Sequence, residues 1–130
     1  MSQIILILLL GVYFTYAKVP SDIVKSFPGT NTTDWGFDLY SGYLDLNNTG
    51  GKRTHYVLAE SKNNPSTDPL VLWFTGGPGC SSLNAFSYEN GPYYFFPGAN
   101  NLIENRYSWN TYTNMMWFES PPGVGFSTVG

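Results

Sequence analysis

The sequence has few basic residues, a single cysteine and no apolar run long enough for a membrane span. Its 6 Lys and Arg, in a chain with formal charge −3, cannot form the clustered basic surface of a nucleic-acid-binding protein. The longest apolar run, at the N-terminus, falls short of the roughly 20 residues that cross a bilayer. The single cysteine, Cys80, has no internal disulfide partner. We therefore expect neither nucleic-acid binding nor stable membrane insertion.

The remaining composition is that of a folded protein. Hydrophobic residues make up 42% of the 130 residues and aromatic residues 18%, which is enough apolar material to bury a core. A chain of this length corresponds to one domain or to part of one.

The segment Met1–Ala17 is interpreted as a secretory signal peptide. It has an apolar centre and ends in Thr-Tyr-Ala, which places small residues at the expected cleavage site. A buried apolar strand is the alternative. Cleavage after Ala17 leaves residues 18–130 to mature in the secretory pathway, where the sequons at Asn31 and Asn47 predict N-glycosylation.

Alternation and turn residues predict a β-rich arrangement with almost no helix. Segments 37–46 and 54–60 flank an Asn- and Gly-rich turn and predict an antiparallel hairpin. The continuous apolar runs 70–74 and 114–120 favour strands covered on both faces of an α/β sheet. Each run ends in a turn rich in Gly and Pro, and ligands of such sheets bind at the carboxyl ends of strands. Only residues 82–88 suit a short helix.

The turn Thr75-Gly76-Gly77-Pro78-Gly79 predicts an oxyanion hole. Glycine has no Cβ, so the backbone amides of such a turn can converge on a negatively charged oxygen. A phosphate-binding P-loop needs Lys and then Ser or Thr after its last glycine, where this chain has Cys80, and the G-x-G-x-x-G spacing is also absent. We expect no nucleotide, no other cofactor and no metal.

No serine of the chain is a convincing nucleophile. Ser81 and Ser127 each lack the closing glycine of a G-x-S-x-G elbow, and Ser81 and Ser82 are interpreted as structural. The only histidine, His55, lies in a hairpin strand where alternation can place it on a solvent face, and a structural role is favoured for it. A convincing Ser-His-Asp triad cannot be assembled from these residues.

Four segments of the chain resemble the serine carboxypeptidase family, secreted or vacuolar α/β hydrolases that remove C-terminal residues from peptides. They are LWFTGGPGCSS, ENGPYYF, NRYSWN and ESPPGVGFS, and they occur in the family's order and spacing from about Asp34 onward. The resemblance implies the fold class α/β, as the incomplete N-terminal part of an α/β-hydrolase fold with a β-hairpin and central sheet strands. It also implies that the nucleophile, aspartate and histidine of the triad lie beyond Gly130.

The resemblance assigns roles to individual residues. Gly77, with Gly76 beside it, matches the oxyanion turn, and Trp73, Thr75 and Glu89 match the network that binds the terminal carboxylate of the substrate. Several carboxyl groups at close range cannot all be ionised, so acidic conditions are expected. Thr75 departs from the family's usual asparagine and offers one hydroxyl where an amide offers NH2 and a carbonyl.

The remaining family positions are expected to be structural. Trp109, Asn110 and Glu119 are interpreted mainly as scaffold, and proline in place of the common alanine at Pro122 is interpreted as neutral. Cys80 resembles a family cysteine that pairs with a distant residue, which this chain lacks.

The expected function is that of a serine-type carboxypeptidase acting on the C-termini of peptides or proteins, secreted or lysosomal/vacuolar. Without the triad, this chain alone is expected to be inactive. A non-catalytic, secreted peptide-binding protein is the alternative. A carbohydrate-binding module is a third interpretation, supported only by the aromatic content and the sequons.

Overall fold

The computed structural model of the protein describes residues 18–28, 30–47, 50–98 and 101–130. The predicted signal peptide lies outside these ranges, and its cleavage stays a prediction. Within the described ranges, no helix has both the length and the apolar character needed to cross a membrane.

Strands and one short α-helix make up most of the regular structure in the described residues. The strands are β1 (Ser26–Phe27), β2 (Thr30–Asn31), β3 (Leu39–Asp45), β4 (Arg53–Ala59), β5 (Leu70–Trp73), β6 (Tyr93–Tyr94), β7 (Ile103–Glu104) and β8 (Asn114–Phe118), and the helix is α1 (Leu83–Tyr88). Three 3-10 helices span Pro20–Asp22, Thr32–Trp35 and Trp109–Thr111.

The predicted hairpin is confirmed. Strands β3 and β4 pair antiparallel from Leu39 opposite Ala59 to Asp45 opposite Arg53. The turn between them has Gly50 at φ 73°, a left-handed conformation that glycine adopts without a steric cost.

A mixed four-stranded sheet in the order β3-β4-β8-β5 organises the described chain. Strand β8 runs antiparallel to β4 and parallel to β5, with Trp73 opposite Trp117. The carboxyl ends of β5 and β8 are therefore neighbours, as predicted, and the loops that follow them meet at one edge of the sheet.

The prediction that both apolar runs are covered on two faces is wrong for β5. In the described chain β5 is an edge strand, bonded only to β8. Leu70 and Leu72 are 53% and 49% exposed, while the alternate residues Val71 and Trp73 are partly buried. The strand alternates because only one of its faces packs against the core.

Aromatic packing between α1 and the sheet forms the core. Phe86 of α1 meets Trp117 of β8 edge to face, with ring centroids 5.0 Å apart. The Trp117 side chain is fully buried, and its indole N–H donates to Asn90 Oδ1 at 2.9 Å. This packing fixes α1 directly after the glycine turn and so positions that turn over the end of the sheet.

Candidate functional site

The glycine turn, defined as residues 75–79 between β5 and α1, has a conformation that only glycine adopts at two of its positions. Gly77 has φ 143° and Gly79 has φ 89°. A Cβ at Gly77 would lie 3.0 Å from Cys80 Sγ and 3.2 Å from the Cys80 amide nitrogen, closer than most Cβ contacts. Gly77 therefore has little room for a side chain, because Cys80 lies close to its backbone.

The amides of this turn are available to a ligand. Gly76, Gly77 and Gly79 are exposed, and their N–H groups donate to no hydrogen bond within the described residues. Most backbone N–H groups of a folded protein are paired with protein or water. A run of exposed, unpaired amides on a rigidly defined turn is suited to holding a negatively charged oxygen.

The start of the glycine turn is fixed by hydrogen bonds on both sides. The Thr75 amide donates to the buried Ser82 hydroxyl at 3.0 Å, and the indole N–H of Trp73 donates to Thr75 Oγ1 at 3.1 Å. The Trp73 ring in turn contacts Trp109 edge to face at 5.3 Å. Ser82 thus has the structural role that was predicted for it.

The predicted carboxylate-binding residues are only partly brought together. Trp73 and Thr75 are hydrogen-bonded, whereas Glu89 lies at the carboxyl end of α1, where its amide donates to Ala85 O at 3.0 Å. The Glu89 side chain is exposed, and among the described residues its carboxylate makes no hydrogen bond or ion pair. Within the described residues, the Glu89 carboxylate is therefore not hydrogen-bonded to Thr75.

Glu119, interpreted from sequence as mainly scaffold, has buried hydrogen-bond partners that sequence reasoning did not identify. It ends the apolar run of β8 and is completely buried. One carboxylate oxygen accepts a hydrogen bond from the Ser81 hydroxyl, and the other accepts from the Phe126 amide at 2.5 Å. Its carboxylate fills the space that a Cβ at Gly125 would need. An acidic residue inside an apolar run, just before a glycine-rich loop, was the available signal.

His55 is buried beside Glu119, so the solvent-facing position that alternation allowed is wrong. It is 6% exposed because β4 lies between β3 and β8 and because the Phe126 ring covers it at 5.4 Å. Its Nε2 lies 2.9 Å from Ser41 Oγ, and its Nδ1 lies 3.5 Å from a Glu119 oxygen.

The charge of Glu119 fixes how the histidine is protonated. A hydrogen on His55 Nδ1 faces the carboxylate favourably, which leaves Nε2 to accept from the Ser41 hydroxyl. Burial lowers the pKa of His55, and the Glu119 charge opposes that shift only in part. His55 therefore has the structural role favoured from sequence, with a hydrogen bond at Nε2 and a longer contact from Nδ1 to Glu119.

Other predicted positions lie away from this arrangement. Asn31 and Asn47 are exposed, and glycosylation at both stays a prediction. Cys80 is exposed and unpaired. The described residues contain no cluster of three or more His, Cys, Asp or Glu arranged to hold a metal.

Two cavities of the described chain lie apart from the glycine turn. One, of about 560 Å³, lies between the hairpin and α1 and is mostly apolar, and another, of about 400 Å³, lies beside Glu60 and Lys62. Neither cavity is lined by the glycine turn, whose glycines are exposed at the end of β5.

Comparison with known proteins places these features in one family. The sequence matches the family model described as Serine carboxypeptidase over residues 28–129. It is 46% identical over 123 residues to serine carboxypeptidase ctsa-3.1 of Caenorhabditis elegans, covering 92% of this chain and 21% of that protein. It is 41% identical over 128 residues to the lysosomal protective protein of Mus musculus, covering 98% of this chain and 26% of that protein.

A solved structure has the same fold. The crystal structure of Kex1(delta)p, a prohormone-processing carboxypeptidase from Saccharomyces cerevisiae, matches with a TM-score of 0.62 at 24% identity, covering 74% of this chain and 22% of that one. The sheet and its loops are therefore part of an α/β-hydrolase fold. The chain spans between 21% and 26% of the length of these three proteins.

Proposed function

Because the chain belongs to the serine carboxypeptidase family, we propose that it supplies the oxyanion-binding turn and part of the terminal-carboxylate site of a serine carboxypeptidase. The substrates are the C-termini of peptides or proteins. The proposed reaction forms an acyl-enzyme on a nucleophilic serine. An α/β hydrolase presents that serine in a G-x-S-x-G elbow, a motif that does not occur in this sequence.

The glycine turn is the observation that carries this proposal. When a nucleophile attacks the scissile carbonyl, negative charge develops on its oxygen, and a pre-positioned N–H stabilises that charge without reorganisation. Gly77 is exposed and has a backbone conformation that residues with a side chain rarely adopt. Its amide fits this requirement, and Gly76 lies beside it. One such donor typically lowers the barrier by about 2.7–4 kcal/mol.

Recognition of the terminal carboxylate is assigned to Thr75, Trp73 and Glu89. The Thr75 hydroxyl accepts from the Trp73 indole, so its own proton is free to donate to a substrate carboxylate. Glu89, exposed at the end of α1, is the third proposed member because its segment resembles the family. Close approach of several carboxyl groups is favoured by acidic conditions. A threonine hydroxyl supplies one donor, so weaker binding is expected than with asparagine at this position.

The chain by itself is expected to have no carboxypeptidase activity. Its only histidine, His55, lies between Ser41 and Glu119 and is assigned a structural role. Hydrolysis by a serine-type mechanism requires a nucleophilic serine with an aspartate and a histidine, and no G-x-S-x-G elbow occurs in this sequence.

Maturation in the secretory pathway, towards secretion or a lysosome or vacuole, is part of the proposal. The apolar N-terminal segment 1–17 and the exposed sequon residues Asn31 and Asn47 support it. Endoglycosidase treatment of the protein from a eukaryotic host tests it, because loss of mass shows glycan, and N-terminal sequencing shows whether Lys18 has become the first residue.

A binding role without catalysis is the second candidate. The exposed residues Gly76, Gly77 and Gly79, whose amides make no hydrogen bond within the described residues, support it. In that case the chain binds C-terminal peptides but does not turn them over.

Calorimetry on the full chain tests both candidates. A short peptide with a free C-terminal carboxylate is titrated in mildly acidic buffer, alongside the same peptide as its C-terminal amide. We expect the acid to bind and the amide to bind at least about tenfold more weakly, the factor for 1.4 kcal/mol. Thr75→Val should remove that preference, whereas Thr67→Val, in an exposed loop, should not. Equal binding of acid and amide, or no binding, refutes the carboxylate role of this chain.

A further inference from the structure

Two loops of the described chain are joined through one buried carboxylate. Glu119 follows β8, and its side chain has no exposure. It accepts from the Ser81 hydroxyl, which follows the glycine turn, and from the Phe126 amide in the loop after β8. These loops follow neighbouring parallel strands, so the carboxylate connects them across the sheet edge where the candidate site lies.

Burial makes this carboxylate dependent on its partners. Removing an ionised carboxylate from water is strongly unfavourable unless its oxygens accept hydrogen bonds, and stability alone is a weak reason for a fold to keep one. Both oxygens here have a donor. The backbone contributes as well, because the Glu119 amide donates to His55 O at 3.0 Å and its carbonyl accepts from Ser127 Oγ at 2.6 Å.

The Ser81 hydroxyl carries this restraint to the glycine turn. It donates to Glu119 and accepts from the Leu83 amide at 3.2 Å, so the side chain is held at the start of α1. The residue before it, Cys80, has its amide and sulfur 3.2 and 3.0 Å from the Cβ position of Gly77. A displacement of Ser81 therefore shifts its neighbour Cys80, whose amide and sulfur lie beside the backbone of Gly77.

The donor pattern suits a carboxylate. Ser81 O–H and Phe126 N–H both donate to Glu119, and a carboxylate offers one oxygen to each. A glutamine at 119 can accept only one of these two bonds with its carbonyl, and its NH2 would have to donate to the Ser81 oxygen, which already accepts from the Leu83 amide. The loop is also shaped around the full side chain, since the carboxylate occupies the space next to Gly125 where any other residue would place a Cβ.

From this geometry we propose that Glu119 is a positioning residue for the oxyanion turn, acting through Ser81 to hold the Gly77 amide in place. The proposal rests on the function proposed above for that turn, and it adds a carboxylate 42 residues beyond Gly77 in the chain to the machinery of the site.

Amide NMR on the full chain provides the test. The backbone order parameters of Gly77 and Gly79 are measured in the wild type, Glu119→Gln, Ser81→Ala and Ser81→Thr. We expect values near 0.85 in the wild type, as for a rigid backbone, and below about 0.6 in Glu119→Gln and Ser81→Ala. Ser81→Thr keeps the hydroxyl and should restore the wild-type values. Glu104→Gln is the matched control, because that exposed carboxylate pairs only with Lys62 at the surface.

The pattern across variants separates positioning from general destabilisation. If Glu119→Gln and Ser81→Ala loosen the glycine turn while the β3–β4 amides keep their order parameters, and the double variant loosens it no further, the proposal holds. Order parameters at Gly77 and Gly79 that stay at the wild-type value in Ser81→Ala overturn it, as does equal loosening by Ser81→Thr. A wild type that binds no C-terminal peptide would refute the proposed function but not this coupling, which the order parameters report independently.

Discussion

Substituting alanine for the three glycines of the turn, one at a time, should give three different losses of stability. At Gly76 the φ angle lies outside the left-handed range and a Cβ meets no atom within 4 Å. At Gly79 a Cβ also meets nothing, but φ is 89°. At Gly77 φ is 143° and a Cβ lies 3.0 Å from Cys80 Sγ and 3.2 Å from its amide nitrogen.

These differences translate into free energies of unfolding. Gly76→Ala has neither strain nor a clash, and the stiffer unfolded chain slightly favours folding, so we expect a change within about 0.5 kcal/mol. Gly79→Ala adds backbone strain of about 1–2 kcal/mol. Gly77→Ala adds strain and crowding against Cys80, for a loss of about 3 kcal/mol.

Urea denaturation followed by tryptophan fluorescence measures the three values, because Trp73 and Trp117 lie on the two strands that end at this site. The expected order of destabilisation is Gly77 above Gly79 above Gly76. Equal losses at Gly76 and Gly77 would refute the reasoning, since the two residues are adjacent and differ only in φ and in local space. A change in the m-value with Gly77→Ala would show that the folded or unfolded ensemble itself had changed.

Two further predictions concern buried polar groups. Burial lowers the pKa of His55 from 6.5, so below that pH the unfolded chain binds a proton that the folded chain excludes. The free energy of unfolding should therefore fall as the pH drops from about 7.5 to about 5.5. His55→Gln should flatten this pH dependence, and an unchanged slope in urea titrations would contradict the prediction. Trp117→Phe removes the hydrogen bond to Asn90 Oδ1 and leaves that buried acceptor unsatisfied. We expect the free energy of unfolding to fall by about 2–4 kcal/mol because of the missing bond and the smaller ring. A thermal midpoint within one or two degrees of the wild type, on the order of 0.5 kcal/mol, would show that Asn90 finds another donor.

Local sequence patterns were sufficient for the elements that depend on neighbouring residues. The alternation around Tyr40 and Tyr56, with glycines between, predicted the hairpin because a strand period of two and a left-handed turn are properties of short segments. The glycine turn was predicted from its missing side chains alone. The four family segments then identified the fold from which these elements come.

Burial was predicted less well because it depends on segments distant in the chain. The apolar run at Leu70 suggested a strand covered on both faces, yet one face of β5 is open in the described chain. His55 was a candidate for the solvent face, but the loop at Phe126, 71 residues later, covers it. Nothing local to either strand specifies which distant segment will pack on it.

The sequence by itself therefore determined the family, the hairpin and the turn whose amides are proposed to bind an oxyanion. Only the tertiary structure decided that Glu119 is a buried acceptor for Ser81 and Phe126. The reason is physical: a backbone conformation is set by residues a few positions apart, whereas the hydrogen-bond partners of a buried carboxylate are set by the parallel pairing of β5 with β8, which brings together loops 38 residues apart.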